Sequence, residues 1–213
     1  VLGLLTITSG FTFFSNESED EYVFDIDNLY DYQKEFKTEE LSVCSLNTAK
    51  TYMDYRMTKL RSSRQYQFLN YECTVDKNTG FLYDKDGFIA VALGSYYGEI
   101  GDRYYFTLDS GVVLPLVKGE EKDDGDTDST NCYHTIDGSV IEFVINDDYA
   151  ASYFGTNSNG YVLDGNYNNY SLFYGSIAKV EKVLDEKVDR IVTYQIDTEV
   201  NANTDIFNYA SGY

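Results

Sequence analysis

From residue 65 to 182 the chain alternates short, aromatic-rich apolar runs with turn signals, the pattern of many short β-strands. QYQFLNYECTV (65–75) leads into DKNTG, and FLY (81–83) into DKDG; each turn ends in glycine. FIAVALGSYYG (88–98) is a continuous apolar run closed by glycine. DRYYFTL (102–108), DSG and VVLPLVKG (112–119) read as a hairpin. Pro115 falls inside the second arm and predicts an edge, bulge or bend, because proline cannot donate to a ladder. SVIEFVIND (139–147) puts Val140, Glu142 and Val144 on one face and Ile141, Phe143 and Ile145 on the other. NDDYAASYFG (146–155) predicts a short helix, and SLFYGSIAKVEKVL (171–184) returns to strand. NSNGYVLDGNYNNYS (157–171) reads as an exposed loop.

The flanks differ in texture. VLGLLTITSGFTFF (1–14) is uncharged but shorter than the roughly 20 residues that span a bilayer. Two readings stand for it: the remnant of a signal or anchor segment, or an ordered strand with the alternation of LTITSGFTFF. Residues 15–43 are acidic and polar, and predict an extension with a short helix rather than a piece of sheet. DRIVTYQIDTEV (189–200) and the polar tail after it predict one more strand and a peripheral arm. The expected organisation is an N-terminal strand and acidic extension (1–49), a β domain (50–185) and a C-terminal strand or arm (186–213).

Composition strengthens the β reading. The chain has 22 Tyr, 13 Phe, no Trp and a single Pro, and Tyr and Phe favour the pleated, half-buried surface of a sheet. A formal net charge of -20 repels nucleic-acid backbones and anionic membrane surfaces, so neither is an expected partner. The positive charge of the first half gathers in and around TAKTYMDYRMTKL (48–60), at Lys50, Arg56, Lys59, Arg61 and Arg64. Its plain reading is an offset to the acidic remainder. Cys44, Cys73 and Cys132 form no CxxC, which argues against a zinc site or redox dithiol. One disulfide plus a free thiol, or three reduced thiols, both fit.

The densest chemistry is LVKGEEKDDGDTDSTN (116–131), with six carboxylates between Glu120 and Asp128. It reads as a solvated turn, a cation site, or acids at the mouth of a site. Asp124, Asp126 and Asp128 alternate as in the opening of an EF-hand loop, which makes them candidate Ca²⁺ ligands. The template's glycine position holds Ser129, however, and its terminal glutamate position holds Thr135. The only histidine, His134, lies two residues from Cys132, and on a strand both would face one side; no third orienting group is indicated. Paired carboxylates offer acid–base chemistry on glycans, since a like-charge neighbour raises one member's pKa. Glu120, Glu121 and Asp124 follow one strand, and Glu142, flanked by valines, sits within another.

GFIAVALGSYYGEIGDRYYFTLDSGVVLPLVKGEEKDDGDTDSTN and DGSVIEFVINDDYAASYFG together resemble the double-psi β-barrel domains of cell-wall proteins. These include the "3D" domain, the rare-lipoprotein-A-like and MltA-type lytic transglycosylases, and the expansins. The resemblance covers roughly residues 50–182 and lies in order and type. It rests on a hairpin with Gly101, Arg103, Thr107, Leu108, Ser110 and Gly111, a strand ending in acids, and a strand with a central acid leading into a short helix. YMDYR (52–56) and SSRQYQ (62–67) are similar to a subgroup met in exported proteins of Gram-positive bacteria and their phages.

The resemblance implies an all-β, six-stranded double-psi β-barrel with one or two short helices. It implies an extracellular, cell-surface or virion location, with bacterial cell-wall glycan as partner. It places the family's first barrel acid at Glu120 or Asp124 and the second at Glu142, where the family usually has Asp. In transglycosylase relatives such an acid is the general acid/base on a glycosidic bond. The competing expectation is a non-enzymatic structural or assembly protein of a virion or surface filament, self-associating by strand addition through the N-terminal strand.

Overall fold

A computed structural model describes residue 29, residues 32–162, residue 167 and residues 170–187. The N-terminal strand expected over 1–14, most of the 15–43 extension's first half, much of the 157–171 loop and the arm beyond residue 187 lie outside these residues.

The described chain is mostly β-sheet, with two short helices, as an all-β class requires. In chain order the strands are β1 (Phe36–Leu41), β2 (Thr51–Asp54), β3 (Thr74–Val75), β4 (Leu82–Tyr83), β5 (Ile89–Leu93), β6 (Arg103–Leu108), β7 (Val113–Glu121), β8 (Glu142–Ile145) and β9 (Ile177–Lys187). The helices are α1 (Arg64–Gln67) and α2 (Asp147–Phe154). All nine strands join one sheet, ordered β1-β9-β6-β7-β5-β4-β3, with β8 pairing both β5 and β2. The sheet therefore has nine described strands where six were expected, and the order runs open from β1 to β3. Two pairings are parallel, β5 with β7 and β2 with β8; the rest are antiparallel.

The turns form where their residues dictate. Gly80 and Gly87, closing DKNTG and DKDG, adopt φ of 80° each, a region open to glycine, and join β3–β4 and β4–β5. Pro115 lies opposite Tyr105 of β6, one residue before the β5 register begins at Leu116. On the β5 side it therefore displaces no ladder partner. Asn146 caps α2 by accepting from the amides of Asp148 and Tyr149.

Two expectations are corrected. The segment 36–41 is not an extension off the sheet but β1, a strand paired with β9. QYQFLNYE is not a strand: Ser63 accepts from the Tyr66 amide as an N-cap, α1 follows, and the chain continues as a π turn through Phe68–Glu72. This geometry lets the consecutive residues Phe68 and Leu69 both bury against the sheet, which a strand's alternation forbids.

The centre of the sheet is buried on both faces. One face carries the larger core, with Val91, Phe106, Phe143 and Phe173 among its members. The other carries a smaller core of Phe36, Phe68, Leu69, Leu82, Phe88, Ala90, Tyr105, Val117 and Val144. β5 is consequently buried at every position, which accounts for its unbroken apolar run.

Candidate functional site

The site begins at Ala92 in β5. On the parallel side its register partner is Glu120 of β7, and on the antiparallel side it is Glu142 of β8. Directly opposed residues in a sheet share a face, so the two acids flank one methyl group in a single row. Their backbones lie two strand spacings apart, about 10 Å. The row extends to Thr51 of β2, the partner of Glu142 on its far side.

Glu120 reaches this face through a bulge. Val91 pairs with Lys118 but Ala92 pairs with Glu120, so Gly119 is the extra residue on β7. A Cβ at Gly119 would lie 2.8 Å from Leu69 Cδ2 and 3.3 Å from Ala90 Cβ. Glycine is what lets the bulge pack against the smaller core. Without the extra residue, Glu120 would alternate onto the opposite face.

The surroundings divide the two carboxyls. Glu120 accepts from the Thr58 hydroxyl (2.7 Å) and from Gln65 Nε2 (3.1 Å). Burial pushes its pKa above the ordinary Glu value; the Thr58 bond opposes this, and the Glu142 and Glu121 carboxylates reinforce it. Glu142 instead lies 3.7 Å from the Lys122 ammonium. Lys122 is buried, and its Nζ also donates to the carbonyl (3.5 Å) and hydroxyl (3.3 Å) of Ser139. Burial lowers the Lys122 pKa, while Glu142 works to raise it.

The other acids go elsewhere. Glu121 pairs with Lys118, whose buried ammonium also donates to the carbonyls of Gly94 and Gly98. Asp124 accepts from the Ser95 hydroxyl at 2.7 Å, so of the two candidates for the first acid it is Glu120 that joins Glu142's row. Asp128 accepts from the amides of Thr130, Cys132 and Tyr133 and from the Thr130 hydroxyl. Burial works against its ionisation, but these bonds hold its carboxyl well below the ordinary Asp range. It is the internal brace of its own loop. Asp126 has an exposed side chain, and its carbonyl accepts from the Thr135 amide and hydroxyl. Asp124, Asp126 and Asp128 therefore do not converge, and among the described residues no three His, Cys, Asp or Glu side chains gather as a metal ion would require.

Cys132 is disulfide-bonded to Cys44, which removes it as a nucleophile for His134. The Tyr97 hydroxyl lies 3.3 Å from Cys44 Sγ and 3.2 Å from Cys132 Sγ. His134 Nδ1 instead faces Asp137 at 3.2 Å. Cys73 is free, and burial pushes its thiol up to about 12, with Asp84 and Glu72 adding to the rise. It is not a reactive thiolate.

Sequence reasoning missed Ala92, Gly119, Thr58, Gln65 and Lys122. The signal for the bulge was present: a lone glycine inside a strand pattern, between Lys118 and Glu120. Thr58 and Gln65 carried no signal, because they meet Glu120 only in the folded chain. No helix among the described residues is long and apolar enough to cross a membrane. Comparison with family models, with curated proteins and with solved structures gives no match for this chain.

Proposed function

We propose that this chain acts on bacterial cell-wall glycan, with Glu120 and Glu142 as an acid–base pair in lytic-transglycosylase-like chemistry. The observation that carries the reading is the Glu120–Ala92–Glu142 row. A half-buried carboxyl with a raised pKa beside a carboxylate matched to a lysine is the division of labour that glycosidic cleavage needs. Glu120 donates its proton to the glycosidic oxygen as the bond to the anomeric carbon breaks, and the bonding electrons leave with that oxygen. Glu142 takes the proton of the incoming hydroxyl, from water or from the sugar itself, as it attacks the anomeric carbon. Ala92 leaves room between them.

The double-psi arrangement belongs to this proposal. Two parallel pairings in an otherwise antiparallel sheet, with crossed strand order, support it. The Cys44–Cys132 disulfide supports an oxidising, extracellular, cell-surface or virion setting. A second reading, a non-enzymatic assembly module of a virion or filament, is favoured by the outer edge of β2. Among the described strands it pairs with β8 alone, which leaves an edge for strand addition.

The test is incubation of the purified protein with peptidoglycan sacculi, measuring bound protein and released soluble fragments. The proposal expects release by the natural chain and a loss of at least about 100-fold in Glu120→Gln and Glu142→Gln. Binding without release in all three supports a binding module, and neither binding nor release supports assembly.

A further inference from the structure

An open pocket of about 260 Å³ lies beside Glu120, lined by Tyr55, Arg56, Thr58, Lys59, Arg61 and Tyr66 among others. Thr58 joins the two places: it lines the pocket and its hydroxyl donates to Glu120. The pocket's charge runs against that of the whole chain. Between Tyr55 and Tyr71 the sequence contains no Asp or Glu, in a protein with 36 of them.

Its three cations are not equivalent. Arg56 is held by Asp54 and Asp148. Lys59 and Arg61 are exposed and make no ion pair with any described residue, so their charge is available to a ligand. Aromatic surface adjoins them. Tyr66 lines the pocket and packs edge-on against Tyr71, ring centroids 6.2 Å apart, and Tyr71 is 74% exposed. Two exposed cations beside two tyrosines, opening next to a carboxyl with a raised pKa, form a chemically specific combination. The cations fit an anion, the ring faces fit a sugar, and the acid fits the linkage beyond it.

We propose that this pocket is a subsite for an acidic saccharide unit, its carboxylate or phosphate held by Lys59 and Arg61 and its ring against Tyr66 and Tyr71. The inference rests on the cell-wall glycan reading and narrows it to glycan that presents an acidic unit beside Glu120. It also gives the basic segment a role beyond offsetting acidity.

The test is calorimetric titration of the full chain with three probes: chitotetraose (neutral), an oligogalacturonate (carboxylate) and a glycerol-phosphate oligomer (phosphate). At least one acidic probe is expected to bind about tenfold or more tighter than chitotetraose, and the tighter of the two identifies the source of the anion. Lys59→Gln with Arg61→Gln is expected to erase that preference, and added NaCl to weaken it. Tyr71→Ala is expected to weaken all three probes together. Equal binding of neutral and acidic probes overturns the subsite. So does an unchanged preference in the double variant, or no binding of either acidic probe at about 10 mM. The two proposals fail separately. Glycan cleavage that needs Glu120, with charge preference unmoved in the double variant, removes the subsite alone. A preference that vanishes in the double variant, with no glycan cleaved by the natural chain, removes the acid–base role alone.

Discussion

Glu120 and Glu142 are register partners of the same residue, Ala92, one from each side of β5. They lie 22 positions apart in the chain, and only the insertion of β5 between β7 and β8 brings them to one row. The consequence is electrostatic: burial raises the Glu120 pKa, and the Glu142 carboxylate adds to the rise.

The bulge at Gly119 is what makes this row. Gly119→Ala sets a Cβ against Leu69 and Ala90 and is expected to cost about 1–3 kcal/mol in denaturant unfolding. Combining it with Leu69→Ala removes the closest contact, so the double variant is expected to lose less than the sum of the single ones. Strict additivity would show that Gly119 does not pack against Leu69.

Stability should carry the mark of Glu120. Its folded pKa lies above the ordinary 4.5, so the folded chain holds this proton more tightly than the unfolded one. That contribution is complete below about pH 4.5 and is lost as pH rises through the folded value. Glu120→Gln has no such loss. Its melting temperature relative to the natural chain is therefore expected to climb between about pH 4 and pH 7.5. A flat difference across that window would contradict the raised pKa.

The Cys44–Cys132 bridge closes a span of 88 residues. Replacing both cysteines by alanine is expected to cost about 4–5 kcal/mol by loop-closure entropy, read by urea unfolding at constant pH. A loss under about 1 kcal/mol would show that the bridge does not constrain the unfolded chain.

Asp128 braces the loop that holds Cys132, and Asp128→Ala leaves its amide donors unpaired. The expected cost is about 1–2 kcal/mol, kept small by partial exposure of the loop. Because its folded pKa is depressed, its contribution is present above the ordinary value of 3.8 and fades as pH falls below it. The destabilisation should therefore shrink in acid. Added Ca²⁺ is expected to leave the melting temperature of the natural chain unchanged.

The fold was legible wherever local chemistry decides. The DKNTG and DKDG turns, the DSG hairpin, the continuous run of β5 and the helix at 147–154 all follow from residues that leave few alternatives. It was illegible where tertiary contact overrides propensity. The aromatic run QYQFLNYE looks like strand, but Ser63 caps it and two adjacent side chains must bury together. FKTEEL looks like a solvated linker, because only Phe36 of this strand is buried and its other positions are partly or fully exposed. The candidate site was half legible. Its acids were visible as residue types, but Glu120 and Asp124 could not be separated without the bulge, and Lys122 disappears among its acidic neighbours.

Titration of the Glu120 side chain by carboxyl-carbon NMR, in the natural chain and in Glu142→Gln, tests the shared site most directly. A midpoint above 4.5 in the natural chain, moving down when Glu142 loses its charge, is the predicted result. A midpoint at or below the ordinary glutamate value, indifferent to that substitution, would contradict it.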